Sequence, residues 1–330
     1  MVVGLTYDLR SDYLKMGYSE QETAEFDRDD TIDAIEKTIQ SLGFETERIG
    51  NIYALTGQLN QGKKWDIVFN ICEGMFGIGR ESQVPALLEA FKIPYVFSGP
   101  VVLSLTLHKA LTKRVVRDAG ILTPDFYVVS SEKDIADIQM PFPLFAKPLA
   151  EGTGKGIDGK SVLNNEKELK NICVHLLNSH QQPVLVESFL PGREFTVGIT
   201  GWGNKAKAVG IMEVVLKNEA EKDVYSYKNK EECESLVEYV SVTGQIAEDA
   251  IQLSLNAYRV LECLDAGRVD VRLDALSRPQ FIEINPLAGL HPEHSDLPIL
   301  CSLNGISYPN LMERIMRSAT ERYGLEYPRT

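Results

Sequence analysis

The chain has 330 residues, enough for roughly two or three small domains, and its 44% hydrophobic and 25% charged residues are ordinary for a globular protein. A net charge of −13 argues against a nucleic-acid backbone or an anionic membrane as the main partner, although an anionic small ligand remains compatible with a locally basic site. The sequence shows no signal-peptide pattern and no apolar run of membrane-spanning length, so we expect a cytoplasmic protein. Its five cysteines include no C-x-x-C pair. We therefore expect reduced thiols, with neither a disulfide framework nor a zinc site.

The N-terminal third alternates predicted strands and helices. Apolar strands are expected at residues 1–6, 44–49, 66–70 and 95–98, and amphipathic helices at 31–42 and 82–91. This βαβαβ order is typical of an open parallel sheet, whose ligands bind beyond the carboxyl ends of the strands. Two segments that follow such strands should face this crevice, and they contain Arg10 and Glu73.

Residues 11–30 form an acidic, tyrosine-bearing segment that is poor in aliphatic side chains. Two interpretations stand: a solvated loop with a frayed helix, or a loop that covers a substrate. Its acids cannot all pair locally, so one of them is a candidate for binding an ammonium group of a ligand. The acids are Glu20, Glu22, Glu25, Asp27, Asp29 and Asp30.

Two lysines of the central part lie in unusual places. A helix is predicted at 107–119 with Lys109 in its first turn, where the helix dipole disfavours a cation unless an anion binds. Lys147 lies in the apolar strand 142–148, where it either snorkels at the strand end or meets an anion. The glycine-rich loop 151–157 follows, and its backbone N–H groups could approach phosphate closely, although it lacks the GxxxxGK[ST] pattern of a P-loop.

Further strands are predicted at 126–129, 184–187, 193–200 and 206–216, and helices at 165–177, 245–261 and 307–323, with a polar loop at 223–230. Glu187 ends one of these strands and Glu194 begins the next. Each carboxylate could bind an adenine amino group or ribose hydroxyls, or could simply lie in water.

Residues 267–285, GRVDVRLDALSRPQFIEIN, predict a β-hairpin, because apolar and charged residues alternate along the first strand. We expect Ile282 and Ile284 on the apolar side of the second strand. The opposite face would present Arg268, Asp270, Glu283 and Asn285. Two carboxylates and an amide suit Mg²⁺ that carries a nucleotide, and the guanidinium would offer a fixed cation to a developing oxyanion. The alternative is an amphipathic hairpin with a solvated, salt-bridged face.

The two lysines, the glycine-rich loop, the two strand-end acids and the hairpin follow one another along the chain in an order that resembles the ATP-grasp superfamily. The resemblance is close to the D-alanine–D-alanine ligases. The matching motifs lie at 70–99, in FPLFAKPLAEGTGKGI, in VLVESFLPGREFTVGI and in GRVDVRLD…FIEINPLAGL, and together they cover nearly the whole chain. The resemblance implies an α/β (α+β) ATP-grasp fold with an N-terminal open parallel-sheet (pre-ATP-grasp) domain. The implied domains are a substrate-side domain at 1–104, a central ATP-grasp subdomain with the glycine-rich lid loop at 105–190, and a C-terminal subdomain with the hairpin at 191–330.

The resemblance also implies roles for individual residues on the nucleotide side. Lys109 and Lys147 would contact the ATP phosphates, with Gly152 and Gly154 in the covering loop. Glu187 would lie by the adenine and Glu194 by the ribose. Two Mg²⁺ ions would be held by Asp270, Glu283 and Asn285.

On the reaction side, the resemblance implies that Arg268 and the Gly289 amide form the oxyanion site. Thr153 occupies the place of a serine in the family's phosphate-covering loop, and Lys230 that of the lysine in its closing loop. Glu25 falls near the glutamate that binds the ammonium group of the first substrate.

The departures from the ligase pattern lie mainly on the amino-acid side. The glycine pair after the first strand is replaced by a segment that contains Arg10, and the family's HG is Glu73-Gly74. Glu231 replaces the tyrosine that follows the lysine of the closing loop. The serine that binds the acceptor carboxylate is missing, and His294 or Ser295 could replace it.

We therefore expect an ATP-dependent carboxylate–amine ligase that joins two amino acids, or an amino acid and an amine, through an acyl phosphate, giving ADP and phosphate. The alternatives are a D-alanine–D-alanine ligase proper, a non-catalytic ATP-binding module and a small-molecule kinase of the same superfamily. The expected partners are amino-acid substrates, with a homodimer possible. The extra charges of Arg10, Glu73 and Arg80 suggest a first substrate with one more charged group than alanine.

Overall fold

A three-stranded parallel sheet organises the N-terminal part of the protein. The computed structural model describes residues 1–221 and 224–328. In chain order this part contains β1 (Val2–Tyr7), α1 (Arg10–Lys15), α2 (Asp29–Ser41), β2 (Glu45–Gly50), α3 (Ile52–Asn60), β3 (Ile67–Ile71), a 3₁₀ turn (Arg80–Ser82), α4 (Gln83–Ala90) and α5 (Pro100–Leu107). The strand order is β2-β1-β3 with both pairings parallel, which confirms the predicted open parallel sheet.

Two helices of this part were not predicted, although each carries a start signal. The side chain of Asn51 accepts hydrogen bonds from two backbone N–H groups in the first turn of α3, and Pro100 opens α5. Conversely, the strand expected at 95–98 is reduced to a single parallel bridge between Val68 and Tyr95. The segments of α3, α5 and residues 95–98 are short and apolar, and periodicity alone cannot tell whether such a segment forms a strand or a buried helix.

A four-stranded antiparallel sheet forms the central part. Its elements are α6 (Lys109–Asp118), β4 (Phe126–Val129), β5 (Leu144–Pro148), β6 (Val162–Leu163), α7 (Glu166–His180) and β7 (Val184–Ser188). The strand order is β4-β7-β5-β6. Leu169, Cys173 and Leu176 recur at helical spacing and pack α7 on the sheet. This packing fixes β5 beside β7, the two strands that carry Lys147 and Glu187.

A five-stranded antiparallel sheet forms the C-terminal part. Its elements are β8 (Glu194–Thr200), β9 (Lys207–Leu216), α8 (Tyr227–Glu231), α9 (Cys233–Leu236), β10 (Val237–Ser241), α10 (Gln245–Val260), β11 (Ala266–Leu273), β12 (Pro279–Asn285), α11 (Asp296–Leu303) and α12 (Tyr308–Arg322). The strand order is β10-β9-β8-β11-β12. The polar loop expected at 223–230 begins outside the described residues, and its later part belongs to α8. No helix within 1–221 and 224–328 is long and apolar enough to cross a membrane.

The predicted hairpin is present as β11 and β12. Its register pairs Arg268 with Asn285 and Asp270 with Glu283, and then shifts so that Val271 faces Phe281. The shift leaves Ile282 as an extra residue, a β-bulge. Phe281 and Ile284 therefore lie in the apolar core, while Ile282 lines a cavity. The expectation that Ile282 faces the apolar side was wrong, because strict alternation does not anticipate a bulge.

One apolar core joins the two ends of the chain. Val3, Ile35 and Phe69 of the parallel-sheet part pack in the same cluster as Leu300 of α11 and Ile315 of α12. Each of the three sheets lies within one of the predicted domain ranges, although the first boundary falls inside α5. The division of the chain at 104 and 190 stays a prediction.

Asp265 ties these parts together by hydrogen bonds. Its side chain is fully buried and accepts from the Phe97 N–H (2.8 Å), from Ser318 Oγ (2.8 Å) and from Arg322 Nη2 (2.7 Å). Burial raises the pKa of this carboxyl, an effect that Arg322 and the hydrogen bonds partly offset. The carboxylate thus links a loop of the N-terminal part to the last helix.

We expect Asp265→Ala to lower the free energy of unfolding by about 3–5 kcal/mol, because it leaves the largely buried Arg322 without its partner. Urea unfolding measures the loss. Glu321→Ala, one residue away in α12, removes only an exposed partner of Lys205 and should cost about 0–1 kcal/mol. Equal losses for the two variants would contradict the linking role of Asp265.

Candidate active site

Two adjoining cavities form a continuous crevice between the three parts of the protein. The first, here the N-terminal cavity, has a volume of about 300 Å³ and lies among residues 24–31, the 3₁₀ turn and the hairpin. The second, here the sheet cavity, has a volume of about 90 Å³ and lies between the two antiparallel sheets. Both are lined by Lys109, Glu151, Lys230 and Glu283. A ligand could therefore extend from one cavity into the other.

The floor of the sheet cavity is a buried carboxylate held by two lysines. Glu187 Oε2 lies 2.9 Å from Lys147 Nζ, and Glu187 Oε1 lies 2.5 Å from Lys113 Nζ. Burial alone would raise the pKa of Glu187, but the two lysines outweigh it and lower the pKa. Burial lowers the pKa of Lys113 to about 8. Sequence reasoning missed Lys113, although its spacing of four from Lys109 places both on one side of α6.

At the other side of the sheet cavity, Glu194 lies 3.3 Å from Arg272 Nη1. Burial raises the pKa of Glu194, and Arg272 opposes that shift. Apolar side chains of Phe145, Leu190 and Ile282 line the same space. The cavity thus combines apolar walls with an acid at each side.

The hairpin presents its charged face to the crevice. Asp270 accepts a hydrogen bond from Thr196 Oγ1 (2.9 Å) and forms a close ion pair with Arg268. Arg268 Nε also lies 3.6 Å from Asp296 Oδ2 at the start of α11. The guanidinium is therefore held between two carboxylates, so its direction is set before any ligand binds.

Glu283 faces Lys109 across the crevice, with 3.5 Å between Oε2 and Nζ. Burial alone would raise the pKa of Glu283. The lysines at 109, 147 and 230 and Arg268 outweigh it, so the pKa falls well below the ordinary range. Glu283 is therefore ionised at neutral pH.

Asp270, Glu283 and Asn285 fit the donor chemistry of a nucleotide-bound Mg²⁺. The two acids face each other across the hairpin, and the side-chain oxygen of Asn285, two residues after Glu283, is a third oxygen donor of the kind that Mg²⁺ binds. In residues 1–221 and 224–328, no three His, Cys, Asp or Glu side chains are grouped closely enough to hold a metal by themselves. Most ligands of an ion here would come from phosphate and water, as Mg²⁺ prefers.

The glycine-rich loop lies over the crevice and contacts two other parts of the chain. Lys109 Nζ donates to the carbonyl of Glu151 (2.5 Å), and the Gly152 N–H donates to Glu25 Oε1 (2.6 Å). Gly154 has a φ of 76°, and a Cβ there would lie 2.9 Å from the backbone N of Tyr227 in α8. A side chain at this position would both strain the backbone and push the loop off α8.

Thr153, at the tip of the same loop, also adopts a positive φ, 49°. Its hydroxyl is buried without a hydrogen-bond partner in the described part of the chain, and the residue lines the N-terminal cavity. Among non-glycine residues a positive φ is uncommon and costs energy. The loop therefore holds a free hydroxyl inside the site at the cost of backbone strain.

Glu25, expected to bind the substrate ammonium group, is already paired. Its Oε2 lies 2.9 Å from Arg80 Nη2 and 3.6 Å from Lys155 Nζ. Only 7% of the Glu25 side chain and 9% of the Arg80 side chain are exposed. Burial would raise the pKa of Glu25, but Arg80 and Lys155 lower it. Sequence reasoning noted the charge of Arg80 but did not pair it with Glu25, 55 positions away.

Three other carboxylates of the N-terminal cavity have no such partners. Asp27, Glu73 and Glu81 line it, and none of them makes a side-chain hydrogen bond or ion pair within residues 1–221 and 224–328. Burial, reinforced by neighbouring acids, raises the pKa of Asp27 to about 7 and the pKa of Glu73 well above its ordinary value. Burial and Glu25 likewise raise the pKa of Glu81 to about 7, against Arg80 and Lys109.

Arg10 lines the same cavity but turns its guanidinium to Glu20, with Nη2 3.0 Å from Oε2. Its Nε is buried without a hydrogen-bond partner in the described ranges. The structure thus brings two of the predicted substrate-side residues, Arg10 and Glu73, to one cavity. Glu81 is an addition that sequence reasoning missed, although it follows the singled-out Arg80 directly.

The segment after the hairpin closes the other side of the N-terminal cavity. Ser295 Oγ accepts a hydrogen bond from the His291 N–H (2.9 Å), and a Cβ on Gly289 would lie 2.8 Å from that Oγ. Gly289 therefore allows its backbone to approach Ser295 closely. His294 turns to Glu234, with 3.4 Å between Nδ1 and Oε1. Both Ser295 and His294 line the cavity, as does Gly289.

Lys230 of α8 lies where both cavities meet, with its Nζ 4.7 Å from the centre of the Tyr225 ring. The Tyr225 hydroxyl lies 2.6 Å from the Tyr239 hydroxyl and donates to Asp296 Oδ1 (3.3 Å). Asp296 in turn contacts Arg268. Sequence reasoning missed Tyr225 and Asp296, because their contacts arise only when α8, β10 and α11 pack together.

Comparison with known proteins places the chain in one family. The family model described as D-ala D-ala ligase C-terminus matches residues 115–317. The D-alanine–D-alanine ligase of Marinomonas sp. (strain MWYL1) is 33% identical over 269 residues, 80% of each chain. That of Aquifex aeolicus (strain VF5) is 30% identical over 86% of this chain and 92% of its own. The fold is also similar to a crystal structure of D-alanine–D-alanine ligase from Bacillus anthracis complexed with ATP, with a TM-score of 0.73 over 98% of this chain and 99% of that chain. The sequence identity is 20%, so this similarity supports the fold alone.

Fold and relatives define an ATP-grasp ligase, an enzyme class that uses ATP to form C–N bonds. The chain belongs to the D-alanine–D-alanine ligase family. The resemblance seen in the sequence and the expected fold class are thereby confirmed. The roles of individual residues stay predictions.

We expect Glu81→Gln to remove a pH dependence of stability. Because the folded-state pKa of Glu81 is raised from 4.5 to about 7, the folded protein holds a proton that the unfolded chain has lost, and stability falls as pH rises through this window. The variant should be more stable than the wild type at pH 8 and should change less between pH 5 and pH 8, as thermal unfolding measures. Glu45→Gln on the exposed part of β2 serves as the control. An unchanged pH profile in Glu81→Gln would refute the assignment.

Proposed function

We propose that the protein is a carboxylate–amine ligase that joins two amino acids, or an amino acid and an amine, through an acyl phosphate, with release of ADP and phosphate. One observation carries this proposal. The hairpin places Arg268, Asp270 and Glu283 opposite Lys109 and Lys147 at the junction of two cavities. Such a junction suits phosphoryl transfer from a nucleotide in one cavity to a carboxylate in the other.

The sheet cavity is suited to the nucleoside part of ATP. Its apolar walls, formed by Phe145, Leu190 and Ile282, can stack against a flat base. Glu187 would lie by the adenine and Glu194 by the ribose, since acids at the edges of an apolar cavity can accept hydrogen bonds from amino and hydroxyl groups.

The triphosphate would extend toward Lys109 and Lys147, under the N–H groups of Gly152 and Gly154. Two Mg²⁺ ions would be held by Asp270, Glu283 and Asn285. When bound, Mg²⁺ supplies positive charge that neutralises the phosphate oxygens. The closed glycine loop would exclude water, which would otherwise hydrolyse an acyl phosphate.

The chemistry follows from the weakness of a carboxylate as an acyl donor. Transfer of the γ-phosphoryl group to the first substrate makes an acyl phosphate, which the amine of the second substrate can attack. Arg268, held between Asp270 and Asp296, and the Gly289 N–H would stabilise the tetrahedral oxyanion. Loss of one such donor typically costs about 10²–10³ in rate. Lys230 and the free hydroxyl of Thr153 would contact the transferred phosphoryl group.

D-alanine–D-alanine ligase activity proper is the second candidate, favoured by the names of the relatives. The altered residues of the N-terminal cavity count against it. On the acceptor side, Ser295 is our candidate for the acceptor carboxylate, since its Oγ lies beside Gly289, whereas His294 is engaged by Glu234. The intact metal set argues against a non-catalytic ATP-binding module.

The deciding experiment measures ADP release against a matrix of D- and L-amino acids, singly and in pairs, with mass spectrometry of the products. A ligase releases ADP and yields a condensed product only with a suitable pair. ADP release with one substrate and a phosphorylated product would indicate a kinase. The absence of ADP release with every pair would contradict the proposal.

We expect Glu283→Ala and Lys147→Ala to abolish ATP-dependent product formation, a loss of at least about 10²-fold, because each removes a charge that faces the phosphates. Circular dichroism should show that both variants remain folded. The exposed Lys207→Ala on β9 is the matched control and should retain activity. Turnover at the wild-type rate in purified Glu283→Ala would remove the metal assignment.

A further inference from the structure

We infer that the N-terminal cavity binds an amino-acid substrate with a second cationic group, an amino or guanidino group in addition to its α-ammonium, and that Asp27, Glu73 and Glu81 receive these cations. The inference rests on the proposed ligase function and adds the substrate class. It follows from which charges of the cavity are balanced and which are not.

The first observation is that Glu25 has no capacity left for a substrate ammonium group. Its two oxygens are engaged by Arg80, Lys155 and the Gly152 N–H. Arg80 and Lys155 also share Glu151, at 3.8 Å and 3.6 Å. Two cations and two carboxylates thus form a neutral, largely buried cluster between the lid loop and the N-terminal part. A substrate ammonium group must find its carboxylate elsewhere.

The second observation is that the cations lining the N-terminal cavity are engaged with other acids. Arg10 pairs with Glu20, Arg28 with Asp30, Lys109 with Glu283 and Arg268 with Asp270. Lys230 has no ion pair within the described ranges, but it lies at the boundary with the sheet cavity, where the nucleotide phosphates would bind. Asp27, Glu73 and Glu81 therefore remain without an ion-pair partner in the described part of the chain, although Arg80 and Lys109 act on Glu81 from a greater distance.

A neutral acceptor adds to these acids. Thr31 is 2% exposed and lines the same cavity, and its hydroxyl makes no hydrogen bond with the part of the chain that the structure describes. A buried polar group without a partner costs free energy unless a ligand or water satisfies it. Thr31 lies in the first turn of α2, and Asp27 lies just before that helix. Both line the cavity, so the two could bind one ammonium group together.

The spacing of the acids favours an extended organic cation over a metal ion. No three carboxylates of residues 1–221 and 224–328 are close enough together to coordinate a metal. Yet the acids are near enough to raise one another's pKa values, Glu81 acting on Glu73 and Glu25 acting on both. A single ammonium group could pair with only part of this acidic set, whereas a substrate with two separated cations could pair with more of it. Binding should also release protons, because a cation lowers the raised pKa values.

The test compares kcat/KM in the ADP-release assay for ornithine, lysine and arginine with that for alanine and glutamate, each as D and L forms and with varied amine partners. We expect the basic amino acids to exceed alanine by at least about tenfold, since one ion pair of about 1.4 kcal/mol gives that factor. Equal or better turnover of alanine or glutamate would overturn the inference and leave the ligase proposal standing. No ADP release with any amino acid would instead count against the ligase proposal itself.

Two variants locate the selectivity in the acids. Glu73→Gln and Glu81→Gln should each raise KM for the best basic amino acid by about tenfold or more, and should raise KM for alanine by a clearly smaller factor, because alanine lacks the second cation. Glu45→Gln is the control for a neutralised exposed acid. A rise in KM that is equal for basic and neutral substrates would overturn the inference, because a structural defect does not distinguish them.

Proton release gives a readout that is independent of turnover. Binding of the basic amino acid in the absence of ATP is followed by calorimetry at pH 7 in two buffers with different ionisation enthalpies. We expect a buffer-dependent binding enthalpy in the wild type and a smaller dependence in Glu81→Gln. Buffer-independent enthalpies in the wild type would contradict cation binding by these acids.

Discussion

The site depends on keeping cations and carboxylates paired in a crevice that is largely shielded from water. Lys147 and Lys113 share Glu187, and Lys109 faces Glu283. An isolated charge at such depth is costly, so each lysine requires an anion and each acid a cation. Lys147 and Glu187 lie on neighbouring strands of the central sheet. Lys113 and Lys109 join α6 to that sheet and to the C-terminal hairpin, so the charges that would bind ATP also hold α6 between the two antiparallel sheets.

In the N-terminal cavity, an unpaired buried charge is equally costly, but the acids and cations there are not all paired with one another. Arg80 neutralises Glu25 and joins it to the lid loop through Gly152 and Lys155. This cluster leaves other acids of the cavity without an ion-pair partner and with raised pKa values, a cost in stability that protonation or a bound cation can offset. Carboxylates kept in this state are typical of binding sites, since folding alone would favour their replacement.

Part of the site follows from local patterns in the sequence. The alternation around Asp270 predicted the hairpin, and cross-strand pairing then placed Glu283 opposite it. Lys109 and Lys147 stood out because a cation in a first helical turn or inside an apolar strand needs an anion. By contrast, the pairing of Arg80 with Glu25 joins residues 55 positions apart, and no local pattern announces it. The bulge at Ile282 was also not predicted, because one extra residue changes the alternation of polar and apolar side chains too little to be recognised in the sequence.

The sequence by itself determined the family and the class of fold, because strand alternation, helix periodicity and the order of the motifs can be read along the chain. It also predicted a set of residues facing the nucleotide. Only the tertiary structure decided which charges pair with one another and which acids of the crevice have no ion-pair partner among the described residues. Ion pairing depends on distances of about 4 Å between side chains from separate elements, and those distances exist only after the sheets and helices have packed. The identity of the substrate side of this protein is therefore a property of its packing more than of any motif.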